Sequence, residues 1–173
     1  MKGGVNIVIA QTYQNDLDRI RNRVSPDCRN SISYFNEPAE AVSEALSNPV
    51  DIVVTGECFY HTDLTSIHDV LGALMSGSVS QHFSRKSLDS GADLAKAVHV
   101  VKPDLLVLRY SGTPDDYPIE SGFVGDIPKG GSDAIYDFVN CNELSDILAA
   151  KDWKRMRKRF PKIRFYRNLE EQK

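Results

Sequence analysis

Glu57 closes the stretch Asp51-Ile-Val-Val-Thr-Gly-Glu57, and its carboxylate stands where an α/β protein does its chemistry. Ile52 to Thr55 form a β-branched run without alternation, entered from Asn48-Pro49 and closed by Gly56. Such a run suits a strand buried on both faces, in the middle of a parallel sheet. Ligands in open α/β sheets bind outside the carboxyl ends of these strands, so Gly56 and Glu57 mark a candidate site. Cys58, His61, Asp63 and His68 follow. With Glu57 they have a zinc-like composition, but the Cys-x2-His pair lacks the matching second pair of a zinc site, so no metal is expected. A Cys58 nucleophile with His61 as base is not fixed by that spacing either, because it spans a turn. Gly130-Gly131 lacks Walker or dinucleotide spacing.

A different chemistry is written into the charge distribution. Residues 1–150 carry 11 Lys/Arg against 21 Asp/Glu, whereas residues 151–167 carry nine basic side chains against Asp152 alone. Within that segment Trp153, Phe160, Phe165 and Tyr166 interleave with the cations. Lys154, Arg155, Arg157, Lys158 and Arg159 are therefore candidate contacts for nucleic acid or an acidic partner, since phosphate neutralisation supplies most nucleic-acid affinity. The competing reading is a helix that packs Trp153 and Met156 on the sheet while its charges face water or the acidic body.

The elements that must position these residues follow from periodicity. Val5 to Ala10 reads as a buried strand, followed by a helix capped at Asn15 or Asp16 with Leu17, Ile20 and Val24 on one face. Ile32 and Tyr34 mark a second strand, and Pro38 opens a helix carrying Ala41, Val42, Ala45 and Leu46. After the third strand, Leu64 to Met75 has helical spacing, and Ser76 to Ser87 is a Ser-rich loop with the composition of disorder. Ser90 to Val98 is helical, Leu105 to Leu108 a fourth strand and Phe123 to Ile127 a fifth. Between those two strands, Pro114 and Pro118 leave little room for a helix. Ser132 caps a helix with Ile135, Phe138 and Val139, and Asn142 caps another running toward Pro161. Five strands mostly separated by helices give a helix–sheet–helix sandwich.

Several phrases carry a resemblance: Asp51-Ile-Val-Val, Ser90-Gly-Ala-Asp-Leu-Ala-Lys-Ala-Val, Lys102-Pro-Asp-Leu-Leu-Val-Leu and Phe123-Val-Gly-Asp-Ile-Pro-Lys129. Over roughly residues 5–140 the chain resembles a CheY-like response-regulator receiver domain, the flavodoxin-like module of two-component signalling. The resemblance implies a site in which two acidic residues after the first strand and an aspartate ending the third hold magnesium. That last aspartate accepts a phosphoryl group, while a Ser or Thr after the fourth strand and a Lys after the fifth answer the phosphate. Here the acidic positions fall on Gln11 and Thr12, the acceptor on Gly56, the hydroxyl on Ser111 and the lysine on Lys129. Magnesium wants hard oxygen ligands that include carboxylates. Gln11 and Thr12 offer neutral oxygens, and Gly56 has no side chain to phosphorylate. The chain thus resembles a pseudo-receiver.

The expectation is an α/β, flavodoxin-like three-layer sandwich with a five-stranded parallel sheet. A receiver-like unit spans 1–141, with an insertion at 57–89, and a basic helical C-terminal extension spans 142–173. The expected role is a non-catalytic regulatory module that works through a protein partner, without cofactor and with magnesium only if the site functions. One alternative is a phosphorylatable receiver that uses Glu57; another is a nucleic-acid-binding accessory protein. Inward-turned, Glu57 would pair with Lys129 and mimic a phosphorylated state; the competing reading makes Lys129 a structural lysine at a loop edge. No signal peptide or membrane span is read in the sequence, and three widely spaced cysteines suit a reducing cytoplasm. A homodimer is compatible with this pattern.

Overall fold

The computed structural model describes residues 3–57, 91–112, 122–130 and 133–166. The expected helix over 64–75, the Ser-rich loop, Cys58, His61 and His68, the Pro114/Pro118 connection and the Ser132 cap lie outside the described residues. Chain order is β1 (Asn6–Ala10), α1 (Gln14–Arg21), β2 (Ser31–Phe35), α2 (Pro38–Ser47) and β3 (Ile52–Thr55). Then follow α3 (Gly91–Val101), β4 (Leu106–Ser111), β5 (Gly125–Pro128), α4 (Ala134–Val139), α5 (Leu144–Ala149), α6 (Trp153–Arg159) and β6 (Arg164–Phe165).

The strands form one sheet in the order β2-β1-β3-β4-β5-β6. The first five are parallel, with Ile7 opposite Ile52 and Ile52 opposite Leu106. Alternation along each strand sends side chains to two faces, and both are covered. On one face Ile7, Ile9, Val54 and Leu108 pack with Leu17 and Ile20 of α1 and with Ile135 and Phe138 of α4. On the other, Val8, Val53 and Val107 pack with Ala41, Val42 and Ala45 of α2 and with Leu94, Ala95 and Val98 of α3. The small residues of α2 and α3 let both helices lie close to the sheet. Lys102 fastens that layer by donating from Nζ to the Ala45 and Asn48 carbonyls at 2.7 and 2.8 Å, which satisfies the C-terminal end of α2.

Three expectations change in the C-terminal region. The single helix running from Asn142 toward Pro161 is two helices, broken where Lys151 takes φ 48° and Asp152 caps α6 by accepting from the Arg155 N–H at 2.9 Å. A cap that satisfies a free N–H competes with continuing the helix. Asn142 is not a cap: its side-chain oxygen accepts from the Arg29 N–H at 2.8 Å. The extension is also not wholly helical, because β6 adds to β5 as a sixth, antiparallel strand. Gly125 makes this possible, since a Cβ there would sit 2.7 Å from the Arg164 carbonyl oxygen. Leu144, Ile147, Met156, Phe160 and Ile163 enter the same core cluster as β1 and β4, and Phe138 meets Phe160 edge-on at 5.0 Å.

Gly91 marks a second close approach. Its N–H donates to the Glu57 carbonyl at 2.8 Å, and a Cβ on it would collide with the Gly56 carbonyl oxygen and touch Thr55 Cγ2 at 3.0 Å. Gly91→Ala is expected to cost about 1–3 kcal/mol in urea unfolding, because backbone rather than a flexible side-chain tip must move.

Candidate functional site

The order β2-β1-β3 reverses direction at β1, which opens a crevice at the carboxyl ends of β1 and β3. Backbone pairing continues one residue past the strands and sets the site residues in a row. Gln11 N–H donates to Phe35 at 3.0 Å, Gly56 N–H to Ala10 at 2.9 Å and Lys129 N–H to Ser111 at 2.6 Å. The five parallel strands thus bring Gln11, Gly56, Ser111 and Lys129 together.

Gln11 is 1% exposed, and its amide lies across the space in front of Gly56. A Cβ at Gly56 would stand 3.1 Å from Gln11 Oε1 and 3.3 Å from Nε2, so the amide crowds the place where an acceptor side chain would begin. Lys129 Nζ donates to Gln11 Oε1 at 3.1 Å and pairs with Asp16 Oδ2 at 2.6 Å. The Tyr110 and Tyr13 rings stand 5.3 and 6.0 Å from the ammonium. Asp16 comes from the first turn of α1 and has no counterpart among the expected site residues. Burial pushes the Tyr110 phenol up to about 12, so it faces the lysine neutral. Ser111 is buried beside this group, and Thr12 is half-buried.

Glu57 belongs to a different cluster. Its Oε1 lies 3.6 Å from Arg109 Nη1, an ion pair too long to be a hydrogen bond. The Lys129–Glu57 contact is therefore replaced by two separate pairs, Lys129 with Asp16 and Arg109 with Glu57. Arg109 Nε donates to Asp126 Oδ1 at 2.6 Å, and Nη2 lies 3.4 Å from the Tyr166 hydroxyl. The Tyr166 hydroxyl donates to the other oxygen of Asp126, and the Phe123 ring sits 5.6 Å from the guanidinium. Burial opposes the Arg109 charge, but the hydrogen bond and charge of Asp126 outweigh it and raise its pKa. Burial and the bond to Asp126 likewise hold the Tyr166 phenol well above its usual value. Arg109, Asp126 and Tyr166 are all buried and tie β4, β5 and the residue after β6 into one unit.

The sequence reading did not assign Asp16, Arg109, Asp126 or Tyr166 to the site, and it took Asn15 or Asp16 as the cap of α1, where Tyr13 stands instead. A signal was present in Arg109 and Asp126, one cation and one anion each set in an otherwise apolar strand. Buried charges are paired, and neighbouring strands offer the shortest route to a partner. The residues at the strand ends do not fit magnesium: Gln11 and Thr12 are neutral, Gly56 bears nothing, and the nearby Asp16 is engaged by Lys129. Among the described residues no group of three or more His, Cys, Asp or Glu is placed to hold a metal.

The basic candidates lie on α6. Met156 and Phe160 are buried and Trp153 and Arg157 half-buried, while Lys154, Arg155, Lys158 and Arg159 face solvent. Arg155 Nη2 reaches Glu143 Oε2 at 2.6 Å, and Arg157 Nη2 donates to the Tyr166 carbonyl at 3.1 Å. Among the described residues no carboxylate pairs with Lys154, Lys158 or Arg159. No described helix is long and apolar enough to cross a membrane.

The sequence matches no protein-family model, and no curated protein matches it. Solved structures do match. The signal receiver domain of an HD domain-containing protein from Pseudomonas fluorescens Pf-5 aligns with TM-score 0.58 at 15% identity, over 91% of this chain and 96% of that one. A CheY-like response regulator receiver domain protein from Methanospirillum hungatei JF-1 aligns with TM-score 0.54 at 10% identity, over 88% and 99%. The response regulator domain of Thermotoga maritima CheB gives 0.52 at 10%, over 91% and 97%. The fold is that of a receiver domain, α/β and flavodoxin-like.

Proposed function

We propose that this chain is a pseudo-receiver, a non-catalytic regulatory module that acts through a protein partner in a reducing, cytoplasmic setting without aspartyl phosphorylation. One observation carries the reading: the Gln11 amide occupies the space before Gly56, and Lys129 is held there by Gln11 and Asp16. The anion that satisfies the lysine is part of the chain, so the site needs neither metal nor phosphoryl group to reach this arrangement. Glu57 is a poor substitute acceptor, because its side chain is directed to Arg109. We read the Lys129 site as fixed in one state, with output resting on surfaces outside it.

Titration with magnesium and beryllofluoride, followed by amide chemical shifts, tests this reading. Beryllofluoride mimics a phosphoryl group only where a carboxylate and the metal are both present. The expected result is no shift at Gln11, Gly56, Ser111 or Lys129 in folded protein. Saturable shifts centred on Glu57, Ser111 and Lys129 would establish a working receiver and overturn the proposal.

A further inference from the structure

We propose that α6 and the groove at its root form a binding surface for single-stranded nucleic acid. The groove, of ≈ 480 Å³, lies at the amino-terminal edge of the sheet, away from the Lys129 site. Val50, Val101, Leu105 and Leu148 give it apolar walls, and Lys151 and the half-buried Trp153 stand where it meets α6. This volume falls in the range that holds a small planar ligand. A flipped-out base has that shape, and stacking on an aromatic ring is the sequence-tolerant part of single-strand binding.

The charges continue from the same place. Lys151 lines the groove, while Lys154 and Lys158 stand one turn apart on the exposed face of α6. Among the described residues the one ion pair to that face is Glu143 on Arg155, and none reaches Lys154 or Lys158. The other charges of the groove are Asp51, Lys102 and Asp104. Asp51 accepts from the Asn6 N–H at 2.8 Å and Lys102 is bound to carbonyls, so both are committed to the fold. An acidic peptide would use the lysines and leave the apolar groove without an occupant. A duplex keeps its bases stacked and offers the groove nothing. Single strands supply both a phosphate row and free bases.

Trp153 is the sole tryptophan of the chain, so intrinsic fluorescence reports the groove directly. Titration of the full chain with oligo(dT) or oligo(U) about 12 nucleotides long is expected to quench it. Three phosphates neutralised by Lys151, Lys154 and Lys158 would give a log–log salt slope of about −2, a loss of roughly twentyfold between 50 and 200 mM salt. The double variant Lys154→Ala/Lys158→Ala, on exposed positions that leave the core untouched, is expected to flatten that slope to about −0.7. Trp153→Leu, checked for folding by circular dichroism, is expected to weaken binding about tenfold. A duplex or polyglutamate that binds as tightly as the single strands overturns the proposal, and so does binding without quenching. Absence of salt-dependent binding by wild-type protein overturns it as well.

Discussion

Arg109→Ala is expected to destabilise the protein by about 3–5 kcal/mol, read as a lowered urea midpoint with unchanged slope. The loss comes less from the ion pair itself than from what remains. Asp126 is 2% exposed and, like Glu57, would be left in its site without the guanidinium that pairs with it. Its other bond, from the Tyr166 hydroxyl, cannot replace a full positive charge. Removing both charges together changes the outcome. Arg109→Met with Asp126→Leu is expected to recover part of the stability, because well-packed apolar residues often equal a buried pair, while the Tyr166 hydroxyl is left without its acceptor. A double variant no more stable than Arg109→Ala would mean that the pair contributes net stability of its own.

The same network sets an alkaline dependence. An unfolded tyrosine keeps its proton up to about pH 10. Folded Tyr166 holds its proton to higher pH, because burial and the bond to Asp126 disfavour the phenolate. Above pH 10 the folded state therefore binds more protons than the unfolded one. Its contribution is complete below about pH 10 and is lost as pH rises through the folded value. Tyr166→Phe is expected to cost about 1.5–3 kcal/mol at neutral pH, the range for a bond to a charged group, and to shallow the alkaline slope. Some slope stays, since burial also raises Tyr110, to about 12.

These residues show where the sequence was legible. The runs Asn6–Ala10 and Ile52–Thr55 betray buried parallel strands because both faces of the sheet are covered and apolar side chains dominate there. Helices α2 and α3 follow from their apolar spacing. The parallel sheet, once placed, brings Gln11, Gly56, Ser111 and Lys129 to one edge. What joins them was not legible, because Asp16 reaches Lys129 from a helix 113 positions earlier in the chain. Nothing in local periodicity encodes such a contact. Strand β6 was hidden for a similar reason. Arg164-Phe165 is too short to show alternation, and its pairing depends on the bare backbone of Gly125.

Placing carboxylates at positions 11, 12 and 56 is expected to give the protein a metal response. Gly56→Asp alone is expected to stay inert, because its Cβ meets Gln11 Oε1 at 3.1 Å and no carboxylate at 11 or 12 joins it. Gln11→Asp shortens that side chain by a methylene, relieves the contact and frees Lys129 from one of its two partners. With Thr12→Asp added, three carboxylates converge on the crevice near Asp16, whose charge Lys129 already balances. Without metal they repel, and the triple variant is expected to be less stable than wild type. Magnesium at about a hundred times its dissociation constant would return roughly 2.7 kcal/mol, a rise of about 5–10 °C in Tm. Wild-type protein is expected to show no rise. With the metal bound, beryllofluoride should then move the amides of Ser111 and Lys129 in the triple variant alone. A folded triple variant whose Tm ignores magnesium would mean that more than three side chains separates this crevice from a working receiver site. The fault would then lie in the path of the backbone after β1 and β3.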